Sequence, residues 1–425
     1  MAGNPSLSSP ISLPPLARAI AQAVQAAGGR AWVVGGTVRD ALLERKSKDV
    51  DLEVHGLSAG SLKKVLAAVA PVAAVGRSFG VFKVGPGFDA IDVALPRPAV
   101  QSSGGARGEV RGDPHMGLEA ACRGRDLTIN AIAADALTGE LADPTGGIED
   151  LRLRRLRAAD PSRFGDDPLR VVRVARFAAI LDFTPTHSLL DTCRSLLLRE
   201  VAAERVASEL ERLLVQAKLP SIGLRVLRDT NAWSQVLVQV APSEAVFDAV
   251  DRAAQLRHRA GPSPRDQALM WGALLATLSA EQADRQLEAL KVHRREGFDV
   301  RATVIASLQQ RPALLNDKGV SDTVLRRLAE SVECAVAIAT AEASVPASDL
   351  HALHERAMEL GVLHSPLVPL LFGRDLVSLG VRRGPAMGRI LRDVRAAQLR
   401  GDVDTPETAI QFAETLWTSE QARRV

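Results

Sequence analysis

The chain has 425 residues, 46% hydrophobic and 24% charged, with a formal net charge of +3 and a pI near 8.9. That length allows roughly two to four domains with real cores, and no stretch approaches a membrane span. With no tyrosine and only 3% aromatic residues, there is little material for the base-stacking platforms of single-strand-binding proteins. Arginine outnumbers lysine, which suits bidentate phosphate contact, although a GC-rich genome gives the same bias. Cys122, Cys193 and Cys334 have neither metal spacing nor an even framework, which fits a reducing, cytoplasmic compartment. The segment 1–15 is rich in Ser and Pro, lacks the charged and apolar regions of a signal peptide, and reads as a flexible N-terminus.

Residues 31–34 form a short apolar run that reads as a strand, ends in Gly35-Gly36, and leads into a helical pattern over 37–45. A strand, a Gly-Gly turn and a helix start present free backbone N–H groups to an anion. Lys48-Asp-Val-Asp-Leu-Glu53 follows, in a run with β character that places Asp49 and Asp51 on one face. Two adjacent carboxylates repel unless a divalent cation lies between them, and Mg²⁺ prefers such oxygens together with those of phosphate. Taken singly, Gly-Gly is usually a turn and Asp-x-Asp usually solvated surface; their order and spacing give them meaning. No Gly-Lys-Ser/Thr follows and no G-x-G-x-x-G is present, which argues against ordinary ATPases and dehydrogenases. Asp92, in Ala90-Ile-Asp-Val-Ala94, lies on a further strand-like run and is a candidate third carboxylate. The stretch from about 97 to 117 is rich in Gly, Ser, Arg and Pro and reads as a mobile loop. Arg125 and Asp126 are expected to open a helix, with Thr128 and Asn130 nearby, and Asp143-Pro-Thr-Gly-Gly147 marks a turn.

Strand-like and helix-like runs alternate up to about 150; beyond that the pattern is nearly all helical, broken at Pro220, Gly261-Pro-Ser-Pro264 and Pro346. Asp167-Pro168 predicts a helix start with Asp as N-cap and Pro at the first helical position. Arg170, Arg173 and Arg176 recur every three residues and share a face. His351 and His354 read as a solvated helix face rather than a ligand pair.

The order Gly35-Gly36-x-x-Arg39-Asp40, then Asp49-x-Asp51, resembles the class II tRNA nucleotidyltransferase (CCA-adding enzyme) and bacterial poly(A) polymerase family. Gly124-Arg-Asp-Leu-Thr-Ile-Asn-Ala131 resembles its Arg-Arg-Asp-Phe-Thr-x-Asn-Ala motif, with Gly124 and Leu127 departing from it. The segment from Asp166 to Ala179 resembles its nucleotide-selecting helix, with Asp166 where Glu is usual, and Glu204-Arg-Val-Ala-Ser-Glu-Leu210 resembles its neck motif. Leu371-Phe-Gly-Arg-Asp-Leu376 and Gly384-Pro-Ala-Met-Gly-Arg-Ile-Leu391 resemble the C-terminal segment of many tRNA nucleotidyltransferases. The resemblance implies a polymerase-beta-like α/β head at 16–150, then an all-α neck (151–217), body (218–350) and tail (351–425).

The resemblance further implies a cytoplasmic enzyme using CTP, ATP and two Mg²⁺ ions to add CMP and AMP to the 3′ end of tRNA. It has Asp49, Asp51 and Asp92 catalytic, the first two binding metal. Gly35, Gly36, Arg39, Asp40, Arg125, Asp126 and Asn130 would hold nucleotide, with Asp126 orienting Arg125. Asp166, Asp167, Arg170, Arg173 and Arg176 would select it. Cytosine and adenine present an amine beside an unprotonated ring nitrogen, whereas uracil and guanine present a carbonyl beside an N–H; an Asp acceptor with an Arg donor fits the first pair alone. A capped helix with a basic solvent face is the competing reading of the same segment. Arg382, Arg383 and Arg389 are the candidate tRNA contacts. No membrane or stable protein partner is implied, and no His is followed by Asp, which argues against the extra phosphohydrolase domain of many relatives. The alternatives are a poly(A) polymerase, an enzyme adding only CC or A, and a non-catalytic RNA-binding protein; intact Asp49 and Asp51 argue against the last.

Overall fold

The computed structural model describes residues 11, 13–45, 50–74, 81–87, 90–97, 112–258, 263–316, 319–345 and 350–422. The chain divides into two compact units, one of residues 1–209 with 222–236, the other of 210–221 with 237–425.

In the first unit, α1 (Pro15–Ala26) has proline in its first turn and buries Ala17, Ile20, Ala21 and Val24, a stripe at helical spacing. The sheet contains β1 (Arg30–Val34), β2 (Asp51–His55), β3 (Val72–Ala74), β4 (Val81–Val84), β5 (Ile91–Ala94), β6 (Ala133–Asp135) and β7 (Leu141–Ala142), in the order β3-β4-β5-β2-β1-β6-β7. Every pair is antiparallel except β2 with β5. That parallel pair sets Asp51 opposite Asp92. β1 is central and buries Ala31 through Val34 in succession, as expected for a strand covered on both faces. The helix after the Gly-Gly turn, α2 (Gly36–Leu42), starts one residue earlier and ends sooner than the pattern over 37–45 suggests, because Glu44 takes a positive φ of 53°.

After α3 (Ala59–Val69), α4 (Leu118–Arg123) ends before Arg125, so Arg125 and Asp126 lie in a bend and do not open a helix. The bend is held by Asp126, whose Oδ1 accepts the Leu127 N–H at 2.8 Å and the Asn130 side-chain amide at 3.0 Å; such local bonds compete with helix formation. A 3₁₀ turn, Thr128–Asn130, follows. Asp143 then caps α5 (Gly147–Arg152), accepting from the N–H groups of Gly147 and Ile148.

At Asp167-Pro168 the first turn is of the tighter i→i+3 type, with Arg170 N–H on the Asp167 carbonyl and Val171 N–H on that of Pro168. Regular α6 therefore runs Arg170–Leu181, while the Asp167 side chain accepts the Leu169 N–H at 3.2 Å. A two-residue strand pair, Arg155–Leu156 with Thr184–Pro185, interrupts the otherwise helical continuation, which proceeds through α7 (His187–Arg194), α8 (Ala203–Gln216) and α9 (Pro220–Asp229).

The second unit is helical apart from a small hairpin, Arg294–Arg295 with Phe298–Asp299. Helices Glu244–Leu256, Pro264–Leu274, Val300–Leu314 and Cys334–Ser344 pack together, with Trp271 fully buried. Pro220 and Pro264 each begin a helix, and the second has a Ser263–Asp266 capping box. Gly261, Pro262 and Pro346 lie outside the described residues. A separate cluster around Leu376, Ile390 and Val394 closes the C-terminal helices. Among the described residues no helix is long and apolar enough to cross a membrane. The three cysteines are free and buried; burial pushes the Cys122 thiol up to about 11 and those of Cys193 and Cys334 to about 12.

Candidate active site

Gly35 joins β1 to α2 at φ 71°, ψ −135°, a conformation that disfavours any side chain. A Cβ placed there would lie 3.3 Å from Arg125 Nη1 and 3.9 Å from Asp51 Oδ2. The turn, the first carboxylate of β2 and an arginine from the later bend thus converge on one point. Asp51 is exposed, and its register partner Asp92 lies on the neighbouring strand, about 4.8 Å away by strand spacing. Asp92 Oδ1 forms an ion pair with Lys83 Nζ of the neighbouring β4 at 2.9 Å. Asp49 lies outside the described residues, and among the described residues no three His, Cys, Asp or Glu side chains form a metal-binding group. An oxygen-only pair of carboxylates beside a turn with no side chain suits a hard divalent cation.

Arg125 is not oriented by Asp126. Its Nη2 donates to Glu53 Oε2 at 3.0 Å, and Glu53 Oε1 lies 3.1 Å from His55 Nε2. Burial alone would raise the Glu53 carboxyl, but the His55 hydrogen bond and the Arg125 charge hold it below its usual range. Asp126, the residue after Arg125, serves the neck: its Oδ2 accepts from Arg173 Nε at 2.8 Å. Burial opposes ionisation of Asp126 too, yet Arg173, Asn130 and the Leu127 N–H hold its carboxyl well below the usual range, and Arg173 is raised in turn. Arg39 lies flat against both oxygens of Asp40 (2.8 and 2.9 Å) and donates to Asn130 Oδ1 at 2.7 Å. A continuous ionic chain therefore runs Asp40, Arg39, Asn130, Asp126, Arg173, and on to Glu209 of α8 at 3.3 Å.

The three arginines of α6 do not make a basic solvent face. Arg170 and Arg176 are buried. Arg176 pairs with Glu209 at 2.7 Å, and the guanidinium groups of Arg39, Arg173 and Arg176 surround the Phe177 ring at 5.0, 5.5 and 4.2 Å. Arg170 donates to the carbonyls of Arg163 (2.9 Å) and Gly124 (2.7 Å), fastening the neck to the bend that carries Arg125. Asp167 Oδ2 pairs with Arg205 at 2.8 Å, and Asp166 lies 3.6 Å from Arg163. Asp167 and Arg170 are thus neighbours without being each other's partners. His55 has no signal in the motifs, and Glu53 and Glu209 lie inside motifs that do not single them out; the sequence hints are that Glu53 continues the alternation of Asp49 and Asp51 and that Glu209 stands next to last in the neck motif.

In the second unit Arg382, Arg383 and Arg389 are exposed, the first two before and the third within the helix Pro385–Arg400. His351 is exposed and lies 3.2 Å from Glu355, one turn along its helix.

The profile of the Poly A polymerase head domain matches residues 31–157, and that of tRNA nucleotidyltransferase domain 2 matches 263–413. The chain thus matches a Poly A polymerase head and a tRNA nucleotidyltransferase second domain. The first match spans the Gly35 turn, both described carboxylates, Glu53, Arg125 and Asp126; α6 lies beyond it. Among curated relatives, the multifunctional CCA protein of Stenotrophomonas maltophilia (strain R551-3) is 40% identical over 233 residues, 52% of this chain and 54% of that one. The same-named protein of Xylella fastidiosa (strain M23) is 39% identical over 222 residues, half of each chain. The chain spans about half the length of the curated relatives it matches. The fold is shared with the Bacillus stearothermophilus CCA-adding enzyme in complex with CTP (TM-score 0.73, 24% identity, 97% of this chain and 99% of that one). It is also shared with the Thermotoga maritima CCA-adding enzyme complexed with tRNA (TM-score 0.67, 20% identity, 96% of each).

Proposed function

We propose that the protein adds CMP and AMP, as CCA, to the 3′ end of tRNA, taking CTP and ATP and releasing pyrophosphate. The observation that carries this reading is the convergence of the Gly35 turn, Asp51 and Arg125 on one point. The identity with multifunctional CCA proteins and the fold of CCA-adding enzymes solved with CTP, ATP and tRNA support it.

In this reading the Gly35-Gly36 turn and Arg125 take the phosphates of the incoming nucleotide. Asp49, Asp51 and Asp92 would hold two Mg²⁺ ions, which when bound supply charge stabilisation and lower the pKa of the attacking 3′ hydroxyl. The phosphate turn, the carboxylates and Arg125 align the triphosphate for in-line displacement at its α-phosphorus. Asp167 and Arg170 would read the base edge, with Arg170 exchanging a carbonyl for the base. Arg173 and Arg176, tied to Asp126 and Glu209, hold that reading surface rigid. Exposed Arg382, Arg383 and Arg389 would contact phosphates of the tRNA.

Incubation with tRNA ending at the discriminator base, CTP and ATP, followed by product sequencing, tests the proposal. Products ending in CCA are expected, and their loss in Asp51→Ala with tRNA binding retained would tie the chemistry to β2. Long adenylate tails would instead establish the second reading, a poly(A) polymerase, which the head's match favours and the match of 263–413 opposes. Products ending in CC or a single A would mark a partial enzyme, and no extension would overturn the activity.

A further inference from the structure

Side chains at alternate positions of a strand share a face, so Glu53 continues the face of β2 that Asp51 opens. It does not continue its chemistry. Glu53 is buried, and its two oxygens are engaged, Oε2 by Arg125 Nη2 at 3.0 Å and Oε1 by His55 Nε2 at 3.1 Å. The other ring nitrogen of His55, Nδ1, lies 2.9 Å from the Met116 carbonyl oxygen. A carbonyl oxygen only accepts hydrogen bonds, and so does a carboxylate. The Glu53 carboxylate has no proton to give, so His55 Nε2 is the donor in their contact. The charges around it are Glu53 on its own strand, Arg30 opposite on β1 and already paired with Asp135 and Glu140, and Arg125 from the bend. Arg97 and Cys122 also face Glu53.

We propose that Glu53 and His55 are positioning residues for nucleotide binding. His55 fixes Glu53 through its Nε2–H, and Glu53 holds one amino group of Arg125 so that the other faces the Gly35 turn. This rests on the reading of that turn as the phosphate site. The arrangement explains why a third carboxylate on the metal-bearing face does not compete for cations: both of its oxygens are taken by fixed donors. It also gives Arg125, reaching in from a bend, a rigid fork geometry before substrate arrives, which lowers the ordering cost of binding.

The full chain, labelled with ¹⁵N-histidine, provides the first test. The ring signals of His55, identified by their loss in His55→Asn, should show a proton on Nε2, the nitrogen that faces Glu53; a bare Nε2 overturns the proposal. CTP binding without tRNA provides the second. Glu53→Gln and His55→Asn should each weaken CTP by about tenfold, the scale of one lost charge-assisted hydrogen bond. If the unaltered chain binds CTP and both variants bind it equally well, the positioning roles fall while the phosphate reading stands. If the unaltered chain binds no CTP, the phosphate reading falls, and the positioning roles with it.

Discussion

Asp126 is the residue on which the head and the neck helix meet. It accepts from Arg173, Asn130 and Leu127 N–H at once, with 7% of its surface exposed. Removing it leaves Arg173 with Glu209 alone, at 3.3 Å, and should cost about 1–3 kcal/mol, the scale of a lost hydrogen bond to a charged group, so Asp126→Ala should lower the urea midpoint of unfolding. Because the folded carboxyl is held below its ordinary value of 3.8, Asp126 contributes stability that is complete above that value and is lost as pH falls below it. Acid titration of unfolding should show this loss in the unaltered chain and a smaller one in Asp126→Asn; equal slopes below pH 4 would remove Asp126 from the account. In the proposed function, Arg170 is the matching residue for specificity. Arg170→Ala should weaken rejection of UTP by about 1–3 kcal/mol, one bidentate base contact, whereas Asp166→Glu should be nearly silent; kcat/KM for CTP, ATP and UTP decides. The partners of these residues explain what the sequence could reveal. Gly35, Asp51 and Asp92 announce themselves by local spacing, but Glu53 and Arg125 are 72 positions apart and Arg173 and Glu209 36 apart. No period in the chain encodes such a pairing.

Element by element, strands and helices with a one-sided apolar pattern were legible, and their ends were not. β1 and the strand-like run of Asp92 lie where the apolar pattern puts them. α2 stops short at Glu44, whose φ is positive, and the bend at Arg125 replaces a helix start because the Asp126 side chain satisfies a backbone group that a helix would otherwise take. The start of α6 shifted for a related reason: Asp167 does cap the backbone, but over a 3₁₀ turn. The close packing of α5 on the Thr128–Asn130 turn was invisible, since the Asp143–Gly147 turn signal says nothing of what packs against its last glycine. A Cβ on Gly147 would lie 2.1 Å from the Thr128 carbonyl oxygen, a clash with backbone on both sides. Gly147→Ala should therefore destabilise the head by about 2 kcal/mol or more. Gly117→Ala, with nothing within 4 Å and a φ of −64°, should be nearly neutral. Comparable midpoints of unfolding for the two would mean that α5 can move away from the turn at little cost.

For the whole molecule, the two units divide the chemistry: the first contains the turn, the described carboxylates and the neck, and the second contains the exposed C-terminal arginines. The division by motif into head, neck, body and tail follows helix breaks, whereas the compact units cut through α8 and α9; helix breaks report where the chain turns, not which cores it joins. The net charge of +3 is too small to draw RNA over the entire surface, so the proposed tRNA binding requires local clusters. Arg382 and Arg383 are exposed, have no ion pair among the described residues, and precede the helix Pro385–Arg400. If they contact tRNA phosphates, each neutralised phosphate releases condensed counterions, and affinity falls as a power of salt concentration. Replacing both with alanine should weaken tRNA binding at low salt and reduce the slope of log affinity against log salt by about two, roughly one per contact. The loss should be the same for tRNAs of different body sequence, because phosphate contacts position without reading bases. An unchanged slope would leave the two arginines as surface solubility and move the tRNA-binding face elsewhere.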